Sequence, residues 1–149
     1  MKPAFIIETP VSLRIARMLK QAGFDYYTSL YYYVPVNEDK AEVSFYEEIP
    51  FANWNNANDA DNEYVSAPTL ELVKKWLRDT KGIDIVVKPF SSNSTKDVGW
   101  NRAYMVEYYL DNGSFDGYSD AYESYDAALE YAIEDVLKRN VLRIENKWF

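Results

Sequence analysis

Carboxylates, lysines and hydroxyl groups must carry any chemistry here, because the 149-residue chain has no histidine and no cysteine. Those two absences remove imidazole bases, Ser–His and Cys–His units, thiolate nucleophiles, disulfides and Cys-ligated metals. Three acid-rich patterns remain. Asp25 followed by Glu38-Asp39-Lys40 has the acid, then Glu-x-Lys, order of metal-dependent nucleases, which bring two acids and a lysine to a divalent ion. Glu38 to Lys40 reads as a turn between two strands, however, and the local basic surface is missing. Asp59, Asp61 and Glu63 match positions 1, 3 and 5 of a calcium loop, but Tyr64 stands where glycine is needed and Leu70 where the bidentate glutamate should be. A carboxylate pair for glycoside hydrolysis is marked by no neighbouring residues. No glycine-rich phosphate loop occurs among the five glycines. The expectation is a protein without enzymatic activity, cofactor or metal.

Aromatic residues point instead to binding. The chain has 14 Tyr, 7 Phe and 4 Trp, more than one core of this size needs. Tyr31-Tyr32-Tyr33 are consecutive, so on a strand they face both sides. Trp54 sits in an Asn-rich segment, and Trp100 follows a polar loop. Exposed Tyr and Trp offer large, rigid contact area at interfaces, which makes Tyr33, Trp54 and Trp100 candidate binding residues.

Charge adds to this. The formal net charge is −8, unevenly placed. From Asn37 to Tyr64 eight acids face Lys40 alone, and from Glu107 to Asp135 nine acids, Asp116 and Asp120 among them, face no base. Lys74 to Val106 lies between them and is net basic. An acidic, aromatic surface fits a basic host or phage protein and not nucleic acid, because phosphate contacts need Lys and Arg. A different class of reading stays open: Trp54 or Trp100 stacking a nucleotide base while Arg102, Lys96 or Lys88 holds phosphates. A carboxylate- or metal-dependent hydrolase is the third.

The elements that position these residues can be read from periodicity. Thr9-Pro10 opens a helix with Val11, Ile15, Met18, Leu19 and Ala22 on one face, ended by Gly23. A second helix begins at Ser66 to Pro68, carries Leu70, Val73, Trp76 and Leu77, pairs Glu71 with Lys75 and stops at Gly82. The third starts at Ser124 with Tyr125, Ala128, Leu129, Ala132, Ile133, Val136 and Leu137 in helical rhythm. Strands are expected over Tyr26–Val36, with Pro35 at an edge or strand end, and over Glu42–Ile49, Ile83–Phe90 and Arg102–Leu110. Phe51–Glu63 and Ser91–Gly99 read as polar loops. Val141–Phe149 reads as a short strand or a packed extension. The result is one α+β domain over residues 1–149, an antiparallel sheet with three helices in the order α-β-β-α-β-β-α. A loose likeness between the segments from Thr9-Pro10 to Asp25 and from Ala67-Pro68 to Asp84 raises the alternative of two αββ units plus a terminal helix.

The opening residues MKPAFIIETP lack a signal-peptide core, and no apolar run approaches a membrane span, so a cytoplasmic location is expected. Several local motifs occur together: Thr9-Pro10-Val11-Ser12-Leu13, Ala22-Gly23-Phe24-Asp25, Tyr31-Tyr32-Tyr33, Ala52-Asn53-Trp54-Asn55, Ser66-Ala67-Pro68-Thr69, Lys75-Trp76-Leu77-Arg78, Lys81-Gly82-Ile83, Phe115-Asp116 and Tyr125-Asp126-Ala127-Ala128-Leu129-Glu130. In this the chain resembles small acidic proteins of phages, prophages and mobile elements of gut Bacteroidetes-type bacteria, over roughly Thr9 to Leu137. The last helix opens Ser-Tyr-Asp-Ala-Ala where that group has Thr-Tyr-Glu-Glu-Ala. The group carries no established activity. The resemblance implies an accessory protein acting in a bacterial host cell, with counter-defence or host modulation as its role.

Overall fold

The computed structural model describes residues 10–35, 42–45, 52–57, 59–90, 103–111, 113, 115–118 and 121–146. Contacts divide the chain into two compact units, Met1–Leu70 and Glu71–Phe149, where the sequence leads one to expect a single domain.

In the first unit, helix α1 spans Leu13–Gln21. It begins later than Thr9-Pro10 because the preceding backbone is held extended: Pro10 bridges Thr69, and the Val11 amide donates to the Pro68 carbonyl at 2.9 Å. Ser12 therefore becomes the cap, its hydroxyl accepting from the Ile15 amide at 3.3 Å. The helix ends as expected at Gly23, whose φ of +91° suits a residue without Cβ. Strands β1 (Leu30–Pro35), β2 (Glu42–Phe45) and β3 (Asn62–Ser66) form an antiparallel sheet ordered β2-β1-β3. Pro35 closes the central strand, so it marks a strand end and not an edge.

Strand β3 falls in and beyond the segment expected to be a polar loop. Its entry is set by Asp59, whose carboxylate accepts from the Asp61 amide at 2.9 Å and from the Asn62 side chain at 2.8 Å; Tyr64, Val65 and Ser66 then continue in extended form. Alternation puts Tyr32, Val34, Glu63 and Val65 on one face. That face meets α1: the Tyr32 hydroxyl donates to the Val11 carbonyl at 2.6 Å, and Arg17 pairs with Glu63 at 2.6 Å. Ile15, Ala16, Leu19, Val34 and Val65 are buried.

In the second unit, helix α2 spans Leu70–Lys81. It starts after the expected Ser66–Pro68 because Ser66 still belongs to β3 and the Ala67 amide donates to Leu30. Its exposed pairs are Lys74–Glu71 and Lys75–Asp79, not Glu71–Lys75, since the other Glu71 oxygen accepts the Tyr125 hydroxyl at 2.7 Å. Strands β4 (Ile83–Phe90), β5 (Ala103–Leu110) and β6 (Phe115–Tyr118) form an antiparallel sheet ordered β4-β5-β6. Helix α3 (Tyr125–Asn146) is capped by the Ser124 hydroxyl, which accepts from Ala127 at 3.0 Å, and it takes in most of the segment read as a strand or extension. Its Ala128, Leu129, Ala132, Ile133, Val136 and Leu137 are buried, as are Ile85, Val106 and Tyr108 on the strands it packs against. Each fully buried Leu or Ile contributes about 1.5–3 kcal/mol.

The fold is thus α+β, and the order α-β-β-α-β-β-α is present with one short strand added in each half. Two antiparallel sheets replace the one expected. Their strand orders differ, with the first strand central in one and the second central in the other, so the halves do not share a topology. Among the described residues no helix is long and apolar enough to cross a membrane.

Candidate functional site: an acidic cleft at two adjoining turns

Two turns of the second unit lie side by side. One joins α2 to β4 through Gly82, with φ of +67°. The other follows β5, where the Gly113 amide donates to the Leu110 carbonyl at 2.8 Å and Gly113 takes φ of +78°. Antiparallel pairing of Ile83 with Leu110 and of Asp84 with Tyr109 brings them together. A cleft of about 360 Å³ opens there, lined by Arg78, Gly82, Asp84, Tyr109, Leu110, Asp111 and Gly113.

The polar groups of this cleft have unequal ties. Tyr109 is anchored: its hydroxyl donates to Glu107 at 2.7 Å, and the same Glu107 oxygen takes Lys88 at 2.9 Å. These contacts raise the Tyr109 phenol above its ordinary value and hold the Glu107 carboxyl below the usual carboxylate range, first through the Lys88 hydrogen bond. Asp111 lies so close to Gly82 that any Cβ there would collide with its carboxylate. The carboxylates of Asp84 and Asp111 make no hydrogen bond or ion pair with another described residue. Arg78, in the last turn of α2, pairs among the described residues with its neighbour Asp79, at 3.5 Å.

This cleft joins residues the sequence reading did not bring together. The available signals were local: Gly82 ahead of a β-branched run, and Asp111-Asn112-Gly113 after an alternating one, both turn signatures. Nothing in one sequence says that these two turns adjoin.

The residues singled out from sequence have other placements. Trp54 lies in a short 3₁₀ turn (Trp54–Asn56), stacks on Tyr31 with ring centroids 4.1 Å apart, and donates its indole N–H to the Thr28 carbonyl at 2.8 Å. Tyr33 donates to Asn62 at 2.8 Å and packs against Tyr64 at 5.5 Å. Both are half-buried members of an aromatic row, Trp54–Tyr31–Tyr64–Tyr33, on the sheet face opposite α1. Asp59 is occupied by its turn, and Glu63 by Arg17. With Asp61 they form no cluster, and among the described residues no group of three acids is placed to hold a metal. Asp116 falls in β6. Trp100, Arg102, Asp120, Lys96 and Glu38-Asp39-Lys40 lie outside the described residues. Lys88 is paired with Glu107.

Comparison with protein families, with curated proteins and with solved structures finds no match.

Proposed function

We propose that this protein is a non-catalytic recognition module that binds a basic partner protein through the acidic cleft of its second unit. One observation carries the reading: Asp84 and Asp111 open on the same cleft without a partner among the described residues, beside a tyrosine ring held in place by Glu107. Unpaired carboxylates beside an aromatic wall attract ammonium and guanidinium groups, through charge and through the ring face. The net charge of −8 speeds encounter with a cationic surface. The likeness to phage and mobile-element proteins supports a role in a bacterial host cell, as counter-defence or modulation of a host protein.

Affinity capture from bacterial lysate with the full chain as bait tests this. The expected result is a basic protein whose capture falls steeply with salt and is lost with Asp84→Asn/Asp111→Asn. Capture that ignores both salt and the double substitution overturns the reading.

A further inference from the structure

Two tyrosine rings of the second unit meet where an oxidant can reach them. Tyr122 and Tyr131 have ring centroids 4.9 Å apart and planes 31° from each other. Tyr131 is 43% exposed, and Tyr122 is half-buried. Each ring stands on a fixed backbone. Tyr122 exchanges two backbone hydrogen bonds with Tyr104 of β5, at 2.8 and 2.7 Å. Tyr131 lies in α3 between Ala128-Leu129 and Ala132-Ile133, all four of them buried.

The composition gives this pair its weight. With no cysteine in the chain, no thiol takes up oxidising equivalents first. Among the side chains that remain, phenols and indoles give up a single electron most readily. A tyrosine that loses one electron also loses its hydroxyl proton and becomes a neutral phenoxyl radical. The unpaired electron is shared between the oxygen and the ring carbons beside the C–O bond. Two such radicals in contact join through those carbons, and the displaced ring hydrogens move to the oxygens. In sum one C–C bond forms, both hydroxyls are restored, and the pair has given up two electrons and two protons. Hydrogen peroxide consumed by a haem peroxidase accepts all four and leaves as water.

Other tyrosine contacts are less suited. Tyr33 and Tyr64 stand 5.5 Å apart at 58°, and the Tyr33 hydroxyl is held by Asn62. Tyr104 meets Tyr125 edge-on at 6.1 Å, and Tyr125 is held by Glu71. Tyr31 is buried. We propose that Tyr122 and Tyr131 form an oxidative cross-linking site, at which a one-electron oxidant of the peroxidase type joins the two rings. The bond ties the first turns of α3 to the segment that bridges β5, and it constrains the unfolded chain as a disulfide does.

Peroxidase and peroxide acting on the dilute full chain test this, with the product digested after glutamate. Cleavage at Glu123 and Glu130 puts the two rings on separate peptides, so a joined pair reports the bond. The expected product is a monomer lighter by two hydrogen atoms, with dityrosine fluorescence and with Tyr122 joined to Tyr131. Its yield should be about tenfold higher in the native chain than in urea, because the fold holds the rings in contact. Tyr122→Phe and Tyr131→Phe should each abolish it, since phenylalanine keeps a ring in place but has no hydroxyl to oxidise. The cross-linked monomer should unfold at a higher urea concentration than the parent chain. Cross-links among other tyrosines only, cross-links only between chains through an exposed ring such as Tyr27, or equal yields in native and unfolded chains overturn the site. An unmoved or lowered urea midpoint overturns its action as a staple.

Discussion

Replacing Gly82 with alanine separates two costs that the structure places at one residue. The first is conformational: φ of +67° is left-handed, and a side chain there costs about 1–2 kcal/mol. The second is steric, because the new Cβ would overlap the Asp111 carboxylate. Asp111 is exposed, so its side chain can turn away, at roughly 0.5–1.5 kcal/mol for an unfavourable rotamer. The lost freedom of the unfolded chain returns about 0.4–1 kcal/mol. Gly82→Ala should therefore destabilise by about 2 kcal/mol, read as a shift of the urea midpoint. Gly113 is the control: its φ of +78° is similar, but a Cβ there meets nothing within 4 Å. Gly113→Ala should show the conformational cost alone, about 1 kcal/mol. Gly82→Ala in an Asp111→Ala background should fall to the same level. Equal costs for the two glycines, or no relief from Asp111→Ala, would refute the steric reasoning. Because relief of the clash moves the carboxylate out of the cleft, Gly82→Ala should also weaken binding of basic peptides, while Gly113→Ala should weaken it less.

Three further outcomes are expected. Asn55 ties the 3₁₀ turn to its surroundings, donating to the Phe24 carbonyl at 3.0 Å and accepting from the Ser66 amide at 2.8 Å; Asn55→Ala should cost roughly 1–3 kcal/mol in chemical denaturation, and a neutral result would mean these bonds are easily replaced. Trp54→Phe keeps a ring against Tyr31 and loses the indole N–H bond to the Thr28 carbonyl, which still accepts from Ala52 at 3.1 Å; it should cost about 1 kcal/mol against about 3 for Trp54→Ala, and equal costs would show that the indole N–H, not the packing, dominates. Burial, then the hydrogen bond to Glu71, pushes the Tyr125 phenol up to about 12. The unfolded chain then releases its proton first, at about pH 10, so this contribution is complete below pH 10 and is lost as pH rises through 12. Urea midpoints at pH 8 and 11 should fall less for Tyr125→Phe than for the parent chain; parallel falls would refute the assignment.

The helices and long strands were legible because each carries its period in full. Ile83–Phe90 opens with four β-branched residues in its first five, and the rhythm of Tyr125 to Leu137 leaves one reading. The starts of α1 and α2 were not, for a shared reason. Pro10 and Thr69 bridge each other, and Val11 bonds to Pro68, so each segment holds the other extended across some 60 residues of chain. Strand β3 was hidden because the acids and asparagines before it are turn formers, and the sheet, not local propensity, makes Asn62 and Glu63 extended. Trp54 looked like an exposed anchor because its segment is polar. The asparagines there serve the fold instead, with Asn55 spanning two backbone groups while Trp54 covers Tyr31. The cleft was illegible as a unit: Arg78 ends α2, Asp84 lies in β4 and Asp111 follows β5, and the β4–β5 register that brings the two turns together is not written in either segment.

The differing strand orders of the two sheets have a consequence for synthesis and folding. In β4-β5-β6, every pairing joins neighbours in sequence, so the sheet can grow as each strand is made, with Glu107 meeting Tyr118 soon after. In β2-β1-β3, the central strand comes first, and its second edge stays open until Asn62–Ser66 arrives about 30 residues later. Closing that longer loop costs more chain entropy before any contact rewards it. The amino-terminal unit is made first, yet its sheet has to wait for the last residues of that unit, while the carboxy-terminal sheet assembles from local hairpins. The exposed edge of β1 during that interval is where nascent chains would mispair, and the acids clustered between β1 and β3 keep such chains apart by repulsion.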